Sequence, residues 1–129
     1  MKIRIRERDS VTIFDIEGEI RRSDDTSLYL HQYVKDLLKE GRRNFLLNFE
    51  KVDFIDSMGI GELLACYKSI IDQRGQLKLM KLKPKIRFLF EVCMLPRIFA
   101  IFNDEEEAVK SFSEEASKKE ALGNALDDD

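Results

Sequence analysis

The part of the chain that follows residue 43 alternates strand patterns with helix patterns, and this alternation limits the fold more strongly than any other feature. Residues 44–49, NFLLNF, are apolar on both faces, as is typical of a central strand covered on two sides. Four further elements are predicted after it: a helix over about 57–73, a strand over 76–82, a helix over about 85–94 and a strand over 98–102. Strands separated by helices run parallel and are joined by crossover helices, so this part of the chain predicts an α/β sheet.

The part of the chain before residue 44 predicts a hairpin and one helix. Residues 2–8 and 11–17 carry isoleucines within charged runs and are separated by a two-residue turn, which indicates a pair of antiparallel strands. Gly18 is expected to end the second strand. Residues 23–25, Ser-Asp-Asp, offer N-cap chemistry for a helix that ends at about Glu40, just before a glycine.

Together these elements predict a single α/β domain. Its mixed sheet would have four or five strands and about four helices, in the order β-β-α-β-α-β-α-β-α. The last helix would begin after residue 104 and bury Ala108, Val109 and Phe112. The domain is expected to span residues 1–112. Residues 113–129 are polar and end in three aspartates, so they are predicted to form an acidic, disordered tail.

Composition and charge argue against several classes of function. The chain of 129 residues is long enough for one core, and its 22 Lys+Arg against 25 Asp+Glu leave a net charge of −3. This mild acidity argues against direct binding of nucleic acid, which needs a basic face. No apolar run reaches the roughly 18 residues that a membrane span needs, and the charged N-terminus lacks the apolar core of a signal peptide. We therefore expect a cytoplasmic location.

The reactive residues predict neither a cofactor nor a metal site. Cys66 and Cys93 lie in apolar periodic segments without metal-ligand spacing, as expected of buried thiols in a reducing compartment. His31 is the single histidine, on the flank of the first helix, so no set of nucleophile, base and orienting group can be assembled. The Gly-Ile-Gly run at 59–61 lacks the third glycine of a dinucleotide fingerprint. An enzyme is not predicted.

The helix over 57–73 has two faces of different character. Small side chains on its outer face would let another backbone approach closely, and a methionine there adapts to the shape of a partner, so this face is expected to bind a protein. An ordinary solvated surface is the alternative interpretation. The core face is expected to hold Ile60, Leu63, Leu64, Tyr67, Ile70 and Ile71, and the outer face Met58, Gly61, Glu62, Ala65 and Ser69.

Ser57 stands at the start of this helix, where two interpretations apply. In the structural one, Asp56 or Ser57 caps the helix by accepting a backbone N–H, which is worth about 1 kcal/mol. In the functional one, the helix N-terminus favours a phosphate on the serine, because its free N–H groups and its dipole attract negative charge. A partner docked beside Asp53, Asp56 and Glu62 would not tolerate the added charge of about −1.5 to −2. Phosphorylation of Ser57 is therefore predicted to act on binding rather than on folding.

The run FIDSMGIGELL, residues 54–64, resembles the signature of the STAS domain, and specifically that of bacterial anti-sigma factor antagonists. In that family an Asp-Ser-x-Gly-(Leu/Ile)-Gly run follows the central strand, and the matching residues here are Asp56, Ser57, Gly59, Ile60 and Gly61. The resemblance covers roughly residues 2–112. It implies a partner switch, in which the unphosphorylated protein binds an anti-sigma factor that is also a serine kinase. Phosphorylation of Ser57 would break the complex, and a metal-dependent serine phosphatase would restore it, while the domain itself supplies no catalysis.

The resemblance and the helix faces together assign the residues of the site. The partner-binding surface would comprise Asp56, Ser57, Met58, Gly59, Gly61, Glu62 and Ala65, and the neighbours of the phosphorylated serine would be Arg21, Arg22 and Asp53. The family often has an aspartate where Arg21 stands. Two roles are open for this arginine: pairing with Asp56, or holding a phosphoserine. The alternative function is that of a non-phosphorylated STAS scaffold subunit in a lipid-transport or larger signalling assembly.

Overall fold

The computed structural model describes residues 1–21 and 29–114, and its elements follow the predicted order. The strands are β1 (Lys2–Arg8), β2 (Val11–Ile20), β3 (Asn44–Ile55), β4 (Gln76–Met80) and β5 (Ala100–Phe102), and the helices are α1 (Tyr29–Lys39), α2 (Ser57–Asp72), α3 (Pro84–Val92) and α4 (residues 105–114). A short 3₁₀ helix, Leu95–Arg97, separates α3 from β5. The N-cap prediction for residues 23–25, the role expected of Arg22 and residues 115–129 of the predicted tail lie outside the described residues. Residues 113 and 114, the first two of that predicted tail, are instead the last residues of α4.

The five strands form one mixed sheet in the order β1-β2-β3-β4-β5. β1 and β2 are antiparallel, as the hairpin prediction requires, and the other neighbours are parallel. Each parallel connection crosses over through helical structure, because the chain has to return to the starting edge before it can run in the same direction again. The predicted α/β class and mixed sheet are confirmed, with four α-helices in the described part of the chain.

Two strands run further than their sequence patterns predict. β2 does not end at Gly18 but continues to Ile20, and β3 continues to Ile55 although charged residues between positions 50 and 53 interrupt its apolar run. The two extensions pair with each other in parallel, so that Ile20 lies opposite Ile55. Gly18 has a positive φ of 105° beside a register irregularity, a conformation that glycine adopts at little cost. The extended pair of strands carries the chain to the point where α2 begins.

Hydrophobic side chains cover both faces of the sheet, but unequally. The larger cluster lies under α1, α2 and α3, and it includes edge-to-face ring pairs between Phe14 and Phe45 and between Phe49 and Phe90. Each such pair adds about 0.5–1.5 kcal/mol beyond the effect of burial. The smaller cluster lies under α4 and consists of Val11, Ile13, Leu46, Met80, Ala108, Val109 and Phe112. The three residues predicted as the buried side of the last helix are therefore buried.

Polar contacts fix α4 on its side of the sheet. Glu105, in the first turn of α4, accepts two hydrogen bonds from Arg6, one of them at 3.1 Å. These bonds hold the pKa of the Glu105 carboxyl at about 2, well below its ordinary value. Further along the helix, Ser111 Oγ accepts a hydrogen bond from the buried Lys78 at 2.9 Å, and the Lys78 ammonium lies 4.8 Å from the centre of the Phe112 ring. Charged groups thus anchor the helix at two points along its length.

Candidate functional site

The paired ends of β2 and β3 determine where α2 begins. Ile20 lies opposite Ile55, and the next residue, Asp56, donates its backbone N–H to the Ile20 carbonyl oxygen at 3.2 Å. The chain then enters α2, whose first residue is Ser57. Ser57 is exposed, which the predicted phosphorylation requires.

Asp56, and not Ser57, caps α2. Asp56 has an extended backbone, and its Oδ1 accepts the Gly59 N–H at 2.9 Å. Its carbonyl oxygen accepts the first bond of the helix, from the Ile60 N–H at 2.9 Å. Because the neighbouring carboxylate supplies the cap, the helix does not need the Ser57 hydroxyl for this purpose.

The two glycines of the motif have different roles. Gly59 is buried, and a Cβ at this position would collide with the Ile20 carbonyl oxygen and would lie 2.7 Å from Ile55 Cγ1. α2 can approach the strand ends this closely because residue 59 has no side chain. This corrects the expectation that Gly59 lies on the partner-binding surface, since the fold itself covers it. Gly61 is exposed, and nothing lies within 4 Å of the position that its Cβ would occupy.

The outer face of α2 is open mainly at its N-terminal end. Met58 is 53% exposed, and the open position of Gly61 follows three residues later. Glu62 and Ala65 are half-buried instead, which corrects the expectation of a fully exposed face. α1 packs beside α2 here, and the His31 N–H donates to Glu62 Oε1 at 3.2 Å. A helix pattern alone could not show this, because the position of α1 depends on contacts between distant segments.

The charged residues near the start of α2 form ion pairs at the strand ends. Arg21, directly after β2, pairs with Glu19 at 2.8 Å. Asp53, on the extended part of β3, accepts a hydrogen bond from Lys83. The residue before Arg21 accepts a hydrogen bond from the cap residue of α2. Arg21 therefore lies at the same edge of the sheet as Ser57.

The sequence that forms these strand ends and this helix matches the model of a known protein family. The family model of the STAS domain matches residues 2–108. The chain belongs to the STAS domain family. The matched span includes all five strands of the STAS domain and the whole of α2, with the exposed serine at its start.

Relatives of this STAS domain include proteins named as anti-sigma factor antagonists. BtrV of Bordetella bronchiseptica, which carries that name provisionally, is 27% identical over 112 residues, or 87% of this chain and 95% of that protein. A Thermotoga maritima protein provisionally described in the same way has a crystal structure with a TM-score of 0.79 at 23% identity, covering 86% of this chain and 94% of that one. The phosphorylated form of the Bacillus cell fate determinant SpoIIAA gives a TM-score of 0.66 at 20% identity, covering 85% and 98%. At these identities the two structures show a shared fold.

His31 has a structural role in this STAS domain. Its Nε2 lies 2.7 Å from Ser69 Oγ on α2, in addition to the backbone bond that reaches Glu62. Burial lowers the pKa of the imidazole, and the nearby ammonium of Lys35 lowers it further. A neutral ring bonded to α2 holds the two helices together, so His31 belongs to helix packing and not to the candidate site.

An apolar groove runs between the end of β3 and α3. α3 buries Ile86 and Phe90, but it leaves Phe88 69% and Val92 64% exposed. Together with Phe54 of β3, these two side chains line a groove of about 290 Å³. Large apolar side chains on the outer side of a surface helix are unusual, because that side is normally polar. The four-residue spacing of Phe88 and Val92 is the sequence signal that could have revealed this outer stripe.

Metal ligands and reactive thiols do not gather at the site in the part of the chain that the structure describes. Over residues 1–21 and 29–114, no three His, Cys, Asp or Glu side chains are grouped so that they could hold a metal ion. Helices in the same ranges are all too short or too polar to cross a bilayer. Cys66 is buried as expected, and burial raises the pKa of its thiol. Cys93, which directly follows the last residue of α3, is exposed, contrary to expectation.

Proposed function

We propose that this STAS domain is an anti-sigma factor antagonist that works by a partner switch in the cytoplasm. In its unphosphorylated form it binds an anti-sigma factor that is also a serine kinase. The kinase transfers the γ-phosphoryl group of ATP to Ser57 Oγ, ADP and the hydroxyl proton are released, and the complex dissociates. A metal-dependent serine phosphatase hydrolyses the phosphate ester and restores the hydroxyl. The domain itself is a binding module.

The observation that carries this proposal is the separation of two tasks between neighbouring residues. Asp56 holds the helix cap through its bond to the Gly59 N–H, while Ser57 is exposed at the first helical position. A serine in this place can be esterified without removing the cap. The names of the relatives support the antagonist role, and the phosphorylated form of SpoIIAA supports this kind of modification.

Phosphorylation would change the docking surface far more than the fold. The phosphate adds about −1.5 to −2 charges next to the Asp56 carboxylate. The helix tolerates this charge, because its first N–H groups and its dipole favour an anion. A partner seated over Met58 and Gly61 would instead have to cover a charged group for which the partner itself offers no cation, which is unfavourable.

Binding of serine variants to the purified kinase tests the proposal. The kinase is isolated by pull-down from the native cell and purified, and its affinity for each variant is measured by calorimetry. Ser57→Ala is expected to bind like the wild type, and Ser57→Asp at least tenfold more weakly, which corresponds to about 1.4 kcal/mol. Ser113→Asp adds the same charge at an exposed position of α4, on the other side of the sheet, and is expected to bind normally.

Labelled ATP gives a second readout on the same proteins. Label is expected on the peptide that contains Ser57 in the wild type, and its transfer is expected to stop in Ser57→Ala. Equal affinities of Ser57→Ala and Ser57→Asp for the kinase would refute the switch. A stable complex in which Ser57 never acquires label would instead favour the scaffold function.

A further inference from the structure

We propose that Arg21 is the receptor for the phosphate of phosphorylated Ser57. On phosphorylation, its guanidinium would leave Glu19 and bind the phosphate oxygens. This inference rests on the proposed phosphorylation of Ser57 and adds a second residue to the switch. Two features of the structure support it: the position of Arg21 at the end of β2, and the exposed nature of its present ion pair.

Arg21 lies within reach of Ser57 because the two residues follow neighbouring strand ends. β2 and β3 are parallel, their last residues Ile20 and Ile55 lie opposite each other, and paired strands are about 4.8 Å apart. The bond from the Asp56 N–H to the Ile20 carbonyl oxygen, at 3.2 Å, holds the start of α2 against the end of β2. Arg21 follows Ile20 directly, and Ser57 follows Asp56 directly, so the two residues start from neighbouring points at the same end of the sheet.

A phosphate would compete well with Glu19 for the Arg21 guanidinium. Arg21 Nη2 lies 2.8 Å from Glu19 Oε2, and the two side chains are 46% and 43% exposed. Ion pairs at this exposure contribute little to stability because water screens them. A phosphate ester carries up to about twice the charge of a carboxylate and offers three oxygens, two of which arginine can bind through parallel N–H groups. Backbone N–H groups of the first turn of α2 can bind the same phosphate.

This exchange of partners would spread the effect of phosphorylation from α2 to β2. Glu19 would lose a cation and become a bare carboxylate at the strand end, while the phosphate would be partly neutralised. A docking partner would therefore meet a changed surface on two elements instead of one. Arg21 would also cover the phosphate against a hydrolysing phosphatase, so the phosphorylated state would last longer.

Phosphorus NMR on the full chain, with phosphoserine genetically encoded at position 57, tests the contact without a kinase. The second pKa of phosphoserine is about 6, and a cation in contact lowers it. We expect the second pKa of the phosphoserine to be lower by about one pH unit in the otherwise wild-type protein. In Arg21→Gln we expect this pKa to return most of the way towards about 6. Arg21→Lys should restore part of the decrease, because lysine keeps the charge but not the parallel N–H groups. Arg97→Gln, an exposed position before the edge strand β5, is the matched control and should titrate like the wild type.

The same proteins can be treated with a purified metal-dependent serine phosphatase. Arg21→Gln is expected to lose its phosphate about threefold faster than the wild type or Arg97→Gln. An unchanged phosphate pKa in Arg21→Gln would overturn the inference, because the helix N-terminus alone would then hold the phosphate. The proposed function can fail separately: a kinase that binds the domain without labelling Ser57 would refute the switch even if the encoded phosphate contacts Arg21.

Discussion

Replacing Gly59 and Gly61 by alanine, one at a time, is expected to change the stability of the domain in opposite directions. Both glycines lie near the start of α2, and alanine is favoured over glycine inside a helix by about 1 kcal/mol. At Gly61 nothing opposes this gain, because no atom lies within 4 Å of the added Cβ. We expect Gly61→Ala to raise the free energy of unfolding by about 0.5–1 kcal/mol.

Packing outweighs helix propensity at Gly59. An added Cβ would collide with the Ile20 carbonyl oxygen and would lie 2.7 Å from Ile55 Cγ1. The isoleucine side chain can rotate, but the carbonyl oxygen accepts the Asp56 N–H and cannot move without losing the bond that seats the helix. Overpacking costs about 1–3 kcal/mol, and a collision with backbone belongs at the upper end of that range. After the gain in propensity of about 1 kcal/mol, we expect Gly59→Ala to lower the free energy of unfolding by about 2 kcal/mol.

Urea denaturation followed by circular dichroism measures both variants. The free energies of unfolding of the two variants are expected to differ by about 3 kcal/mol, which is well outside the extrapolation error of the method. Comparison of one variant with the other removes the contribution of the unfolded chain, because each loses the freedom of one glycine. If both alanine variants were stabilised, or if both shifted equally, the close approach of α2 to the strand ends would be wrong. The account of how Ser57 is positioned would then be wrong as well.

Two further predictions concern α4. Glu105→Gln is expected to lower the free energy of unfolding at pH 7 by about 1–2 kcal/mol, less than the full pKa shift implies because the side chain is 20% exposed. The pKa of Glu105 falls from an ordinary 4.5 to about 2 through its bonds to Arg6, so its stabilisation is complete above about pH 4.5 and is lost as the pH falls towards 2. When denaturation is repeated at a series of pH values, the free energy of unfolding should fall less steeply towards low pH in the variant than in the wild type. An equally steep fall in both proteins would contradict this. Lys78→Ala is expected to cost about 2–4 kcal/mol, because it opens a cavity beside Phe112 and removes the bond to Ser111. Hydrogen exchange should then rise selectively in α4, and unchanged protection there would exclude this role of Lys78.

The fold class could be predicted because it depends on local patterns, whereas the lengths of the elements depend on distant pairing. The apolar run 44–49 is sufficient to identify a central strand. Lys51 and Asp53 resemble loop residues when they are considered alone, and they lie in β3 because the extension of β2 pairs alongside. Ile71, expected in the core, is 43% exposed. A helix pattern gives the direction of a side chain, but not how far the neighbouring elements extend to cover it.

The same distinction applies to the candidate site. The sequence could indicate a serine at the exposed start of a helix and a cap at either Asp56 or Ser57, because these features depend on residues that are adjacent in the chain. The structure assigns the cap to Asp56. The half-burial of Glu62 and Ala65 could not be predicted, because it depends on where α1 packs. The ion pair between Arg21 and Glu19 joins residues two apart in sequence, but a sequence with several charges near this strand end does not show which of them will pair.

The geometry at the start of α2 separates the part of the site that can be modified from the part that holds the helix. The helix is seated by the Ile20 carbonyl oxygen, the Asp56 carboxylate and the missing side chain of Gly59. A switch that modified any of these would change the stability of the domain each time it operated. Ser57 is adjacent to all of them in the chain, yet the cap and the close packing do not require its hydroxyl. Under the proposed switch, a charge added at Ser57 would alter what the surface can bind while the scaffold beneath it stays folded, which is what a repeated cycle of phosphorylation and dephosphorylation requires.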